Sequence, residues 1–260
     1  MWLLDRKRDV LRLGRECAQY WVRTSAGLLL CGRLTLAAKP GADAGLEAEL
    51  LAWLQGLGSE ISRTRPIDVV LESAWLPVMV IEVGSGSWRR TQVASLLQHR
   101  MSELHLYPGV PLQEWHLQID HRPGDEQALG YGLAPSIRQA VLGATAAADR
   151  RAASLQPALA WGRARLARRA RSLRTGWWIW IEHDRALVCR IERSRVTAMN
   201  AGACVPGDEA QCARLIAIEA AREGIVEPSE TVVMAGWLDL AAPAVEASLL
   251  ETQLRRRAEA

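Results

Sequence analysis

Strand-forming residues dominate positions 10–36, with breaks at 14–16 and 25–27, so the pattern predicts two or three antiparallel strands in a meander. Residues 39–43 read as a loop. Leu46, Leu50, Trp53, Leu54 and Leu57 then recur at helical spacing until Gly58. Two apolar runs, 67–71 and 76–83, predict strands joined by a turn. Residues 88–104 place Val93, Leu96, Leu97, Met101 and Leu104 on one helical face and leave Arg89, Arg90, Gln98 and Glu103 to water. Strands are expected at 115–119 and 129–132, followed by a helix from Pro135 to about residue 151. Residues 154–157 read as a junction leading into an arginine-rich helix that ends near Arg174. The period then returns to two. Strands are expected at 177–182 and 186–192 around His183, Asp184 and Arg185, and a third near 196–199. A helix closed by Gly224, a strand at 231–235 and a helix at 245–257 complete the pattern.

With 260 residues, 49% of them hydrophobic, the chain has enough apolar side chain for one large core or two smaller ones. No apolar run reaches the roughly 18–20 residues that cross a bilayer, and charge follows the first apolar residues instead of preceding them. Neither a membrane anchor nor an ordinary secretory signal is expected. The formal charge is +3, but six arginines fall between 163 and 174, and without them 26 cations face 29 acids. Basicity is therefore local. Five cysteines without a C-x-x-C pair, and five histidines without H-E-x-x-H, argue against a disulfide framework and a metal site and for a reducing compartment. Eleven tryptophans and no phenylalanine mean that indoles fill the core, with Trp178 and Trp180 on one strand face and Trp177 on the other.

The order meander, helix, strand occurs twice. This α/β (α+β) arrangement resembles the ribonuclease H-like domain pair of the actin and sugar kinase superfamily; one α+β domain of another topology is the alternative. The expected subdomains are 1–153, with an inserted strand-strand-helix region near 67–120, and 154–260, each with a mixed sheet opened by an antiparallel meander. More narrowly, the strand pair of 68–83, the helix 92–104, the strand 115–119, the phrase Leu129-Gly130-Tyr131-Gly132 before a long helix, and Ser154-Leu155-Gln156-Pro157 with the hairpin after it are similar to actin-like proteins of the PilM and GspL type. Those proteins serve type IV pilus and type II secretion inner-membrane platforms.

The resemblance implies a cytoplasmic scaffold that holds a short segment of a membrane-anchored pilus or secretion component, by a groove in one domain. It also raises ATP with magnesium as a cofactor. Holding ATP takes two glycine-containing hairpin turns, because a residue without Cβ lets backbone N–H groups approach phosphate oxygens, and an acid for the magnesium. The family pattern is Asp-x-Gly at each turn. Here the first turn, 13–16, offers Gly14 without a preceding Asp, the second offers Glu182 and Asp184 without a Gly, and the late strand offers Gly236 followed by Trp237. The expectation is a member with degenerate nucleotide motifs, no catalysis and no cofactor. An ATPase using Gly14, Glu182, Asp184 and Gly236 is the alternative, and a self-assembling homo-oligomer is a third reading.

Arg163, Arg165, Arg168, Arg169, Arg171 and Arg174 surround a narrow apolar stripe, which makes them either a solvated face or a contact for an anionic surface. An acidic partner or the inner-membrane surface fits that contact better than nucleic acid, since the basicity is confined to one helix. A nuclease cluster of Asp68, Glu72, Glu82 and Asp120 is set aside because Glu72 and Glu82 are assigned to strand ends of a variable subdomain. The Walker and Gly-x-Ser-x-Gly patterns are absent.

Overall fold

The strand β1 (Asp9–Leu13) is buried at every position, which is what a strand covered on both faces and paired on both sides requires. It pairs antiparallel with β2 (Cys17–Arg23) and parallel with β4 (Ile67–Leu71). The strand β3 (Leu28–Thr35) flanks β2, and β8 (Ala152–Pro157) flanks β4, giving the order β3-β2-β1-β4-β8. A computed structural model describes residues 8–25, 27–41, 44–58, 61, 64–103, 114–165, 173–205, 208–224 and 231–236. The chain divides into two compact units, Met1–Ala158 and Leu159–Ala260.

In the first unit, α1 (Leu46–Gly56) buries Leu46, Leu50 and Leu54, and packs on α3 (Pro135–Ala147), which buries Ile137, Val141 and Ala144 and carries Pro135 in its first turn. Two expectations change here. The runs 67–71 and 76–83 do not pair with each other. The fully buried β4 is a parallel strand of the main sheet, whereas the half-buried β5 (Val78–Glu82) joins β6 (His116–Asp120) and β7 (Gln127–Leu133) in a separate sheet ordered β5-β7-β6. The inserted region therefore begins after β4, not at residue 67. Residues 154–157, expected as a junction, belong to β8, an edge strand parallel to β4. An edge tolerates the terminal Pro157 and the polar Ser154 and Gln156 that made the segment read as a loop. With β8 in the first sheet, the first unit runs to Ala158 and not to residue 153.

The small sheet is covered by α2 (Arg90–Ser102), whose buried residues are Val93, Leu97 and Met101. Its close approach depends on β7: a Cβ at Gly130 would lie 2.3 Å from a Leu97 methyl, and one at Gly132 would lie 2.2 Å from the Met101 sulfur.

The second unit repeats the plan. The strands β9 (Gly176–Ile181), β10 (Arg185–Glu192) and β11 (Arg195–Ala203) form the meander, and β12 (Val232–Gly236) pairs parallel with β9, in the order β11-β10-β9-β12. Arg193 and Ser194, at φ 48° and 65°, close the β10–β11 hairpin. On one face of β9, Trp177 and Ile179 pack with Val188, Cys212 and Ile216, the last two from α5 (Glu209–Arg222). Asp208 caps that helix by accepting from the Gln211 amide at 3.0 Å. On the other face Trp178 and Trp180 lie 6.2 Å apart between ring centroids, and both are fully buried. All five cysteines are free thiols. Burial pushes the Cys189 thiol up to about 12, so it stays protonated.

The described part of the arginine-rich helix is α4 (Ala158–Arg165), and the expected helix 245–257 lies outside the described residues. Within the second unit Gly162 of α4 sits on Trp180, where a Cβ would lie 2.3 Å from a ring carbon. Gly162→Ala gains up to about 1 kcal/mol of helix propensity, but displacing a ring packed on all sides costs about 1–3 kcal/mol. Net destabilisation is expected, read as a lower urea midpoint, and Trp180→Leu should relieve most of it in the double variant.

Candidate functional site

The first hairpin turn, between β1 and β2, is where Gly14 lies, and it is pinned from beneath. Glu72 follows the last residue of β4, and its backbone N–H donates to the Leu13 carbonyl at 3.0 Å, bringing its side chain under the turn. Arg12 Nε donates to Glu72 Oε1 at 2.8 Å, Arg12 Nη2 donates to the same oxygen, and Arg12 Nη1 donates to Gln19 Oε1 at 2.6 Å. The two charged side chains are only 6% and 1% exposed. The Arg15 backbone N–H donates to Glu72 Oε2 at 3.2 Å, and Trp75 Nε1 donates to the Gly14 carbonyl at 2.7 Å. A Cβ on Gly14 would stand 2.9 Å from Glu72 Oε2, so the bare backbone here accommodates the protein's own carboxylate.

The other acids of the first sheet are also committed. Asp68 accepts from Arg8 Nη1 at 3.0 Å and from Ser154 Oγ at 2.7 Å. Asp9 accepts from the Tyr20 hydroxyl at 3.2 Å and from the Arg23 amide at 3.0 Å. Burial, and then the Asp9 charge, push the Tyr20 hydroxyl's ionisation well up. Glu82 and Asp120 are exposed, and among the described residues no three of His, Cys, Asp and Glu converge as metal ligands.

In the second unit, Glu182, Asp184 and Gly236 come to one end of the sheet. Glu182 is buried and its N–H donates to the Arg185 carbonyl at 2.8 Å, while His183 and Asp184 are exposed at the tip. Gly236 is opposite Ile181 in the parallel register, and a Cβ there would lie 2.9 Å from the Ile181 carbonyl oxygen, so this glycine is needed for strand packing. Trp237 lies outside the described residues. Magnesium-ATP fits neither turn: the Arg15 amide of the first is directed to Glu72, and the second has no glycine.

Of the arginines, Arg163 Nη2 donates to the Ser194 carbonyl at 2.8 Å, fastening α4 to the β10–β11 turn. Arg174 is exposed, and its carbonyl accepts from the Ser194 amide at 2.9 Å. The Arg165 side chain and Arg168, Arg169 and Arg171 lie outside the described residues.

The sequence reading named no lining residues for a groove; the first unit has one of about 400 Å³. It runs between β6 and β8, the outer strands of their two sheets, with Leu76, Leu117, Leu133 and Leu142 as apolar lining and His116, Gln118, Arg138 and Ser154 as polar lining. The signals for it were dispersed over a strand, an unrecognised edge strand and a helix, each ordinary alone. Arg12 was a more legible omission, since a cation inside the buried run Asp9–Leu13 demands a partner.

The two meanders, each with its first strand paired parallel to a later one, constitute the actin-like ATPase fold. A protein in the PilM–PilN type IV pilus biogenesis complex matches at TM-score 0.58 and 13% identity, over 95% of this chain and 85% of that one. The cytoplasmic domain of EpsL, an inner-membrane component of the Vibrio cholerae type II secretion system, matches at TM-score 0.51 and 14% identity, over 94% and 92%. A Bacteroides thetaiotaomicron protein of actin-like ATPase fold and unknown function matches at TM-score 0.51 and 11% identity, over 98% and 90%. No family model and no curated protein matches the sequence.

Arg12→Met would leave the Glu72 charge buried without the guanidinium, which costs about 3–5 kcal/mol in comparable buried pairs. Equilibrium urea unfolding should show a loss of that size, larger than for Arg12→Met combined with Glu72→Leu.

Proposed function

We propose that the chain is a cytoplasmic adaptor of a pilus or secretion assembly platform, which holds a short segment of a membrane-anchored component in the β6–β8 groove and works without hydrolysing nucleotide. The groove carries this reading. Two outer strands flank it, and an extended segment can add main-chain hydrogen bonds to such an edge while its apolar side chains enter pockets between them. Leu76, Leu117, Leu133 and Leu142 supply the apolar floor, and Arg138 supplies a cation for a polar or acidic residue of the segment. PilM in complex with PilN, and EpsL as an inner-membrane component, support the setting by fold alone. Among the described residues no helix is long and apolar enough to cross a membrane.

The unsuitable turns support the second half of the proposal. A photo-crosslinking residue at Leu117 is expected to capture a single-span inner-membrane protein in cells, and Leu142→Arg should abolish that adduct. Capture that persists in Leu142→Arg would remove the groove reading. Calorimetric titration with magnesium-ATP should show no binding tighter than about 100 μM, about 5.5 kcal/mol; tighter binding would favour the ATPase.

A further inference from the structure

We infer that Glu72 is the built-in anion of the β1–β2 turn, and that removing its carboxylate converts the space beside Arg12, Gly14 and Arg15 into a site for inorganic phosphate. This rests on the reading above that the turn does not hold nucleotide, and it gives the cause.

The argument concerns one peptide unit. The Gly14 carbonyl and the Arg15 N–H belong to the same planar trans peptide and therefore point in opposite directions. Trp75 Nε1 holds the carbonyl end at 2.7 Å, and Glu72 Oε2 receives the N–H end at 3.2 Å. The amide is thus fixed facing an anion, as a single donor of the kind that backbone cradles direct at phosphate in series. Arg12 adds the countercharge on the other carboxylate oxygen, and Gln19 fixes the guanidinium from its far side. Gly14 adds the missing Cβ: any other residue would bring an atom to within 2.9 Å of the bound oxygen. A cation, an oriented amide and a glycine are what a phosphate oxygen requires, and here a side chain 57 positions from Arg15 supplies the oxygens. Arg15, whose amide meets the carboxylate, and Glu16 are exposed, so the turn that covers Glu72 is itself at the surface.

The experiment uses the full chain, as wild type, Glu72→Gly and Glu72→Gln, with thermal unfolding and calorimetry in sodium phosphate, sodium formate and sodium chloride at equal ionic strength. Wild type should respond to phosphate no more than to chloride. Glu72→Gly should be less stable in chloride and gain a saturable rise in Tm with phosphate, with a phosphate Kd at least about tenfold tighter than wild type. Glu72→Gln, which keeps the volume and loses the charge, should gain less. If Glu72→Gly fails to fold in chloride, refolding yield in phosphate against formate makes the same decision.

Rescue by formate and not by phosphate would overturn the inference, making Glu72 only a counter-ion for Arg12. A folded variant indifferent to both anions would also overturn it while leaving the adaptor reading intact. Tight magnesium-ATP binding by wild type would instead remove the nucleotide-free reading and this inference with it.

Discussion

A buried ion pair joins three strands of the first sheet at one point. Arg12 comes from β1, Gln19 from β2, and Glu72 from the residue after β4, and none of the three is more than 8% exposed. Removing two charges from water is unfavourable, and their attraction offsets that only when the remaining donors and acceptors are matched. Here they are matched by geometry: both carboxylate oxygens accept, and all three guanidinium nitrogens donate. A one-residue slip of β2 or β4 against β1 would turn one partner to the opposite face and leave the other unpaired. The pair therefore fixes the register of the sheet at the end where its hairpin turn lies, and it fixes that turn in the same step.

The meanders and the helices α1, α2, α3 and α5 were legible in the sequence because each presents one apolar face or alternation bounded by a turn residue. The duplication was legible in their order. What could not be read was which strands become neighbours. The strand β4 looked like half of a hairpin because the next apolar run follows within a few residues, yet its continuous burial belongs to a central parallel strand. The strand β8 looked like a loop because an edge position relaxes the demand for apolar alternation. Both errors affect the site. Placing Glu72 in a variable subdomain hid its position beneath Gly14, and missing β8 hid one wall of the groove.

The lack of phenylalanine shapes the cores in a way composition announces. Tryptophan supplies more area than phenylalanine, but its N–H must be placed, and among the described residues the indole nitrogens of Trp177 and Trp178 are buried without a hydrogen-bond partner. Each such group costs about 1–3 kcal/mol, offset by the apolar area the ring removes from water. The volume is taken from the facing helix: Gly162 permits Trp180 to lie flat against α4. Glycines 130 and 132 solve the same problem for Leu97 and Met101. Gly236, which the family resemblance would assign to ligand contact, likewise lies close against the Ile181 carbonyl.

In the β1–β2 turn the Arg15 amide faces inward, onto Glu72. Stabilising charge on a phosphate takes preorganised donors aimed at it, and the Arg15 amide is already hydrogen-bonded to Glu72. In the first unit the outer strands of the small sheet and of the main sheet, β6 and β8, line a shared groove. Since β8 is anchored to β4 and β4 to β1, the same sheet that holds the Arg12–Glu72 pair also sets the position of that wall. The closed turn and the open groove are then two consequences of one well-determined sheet.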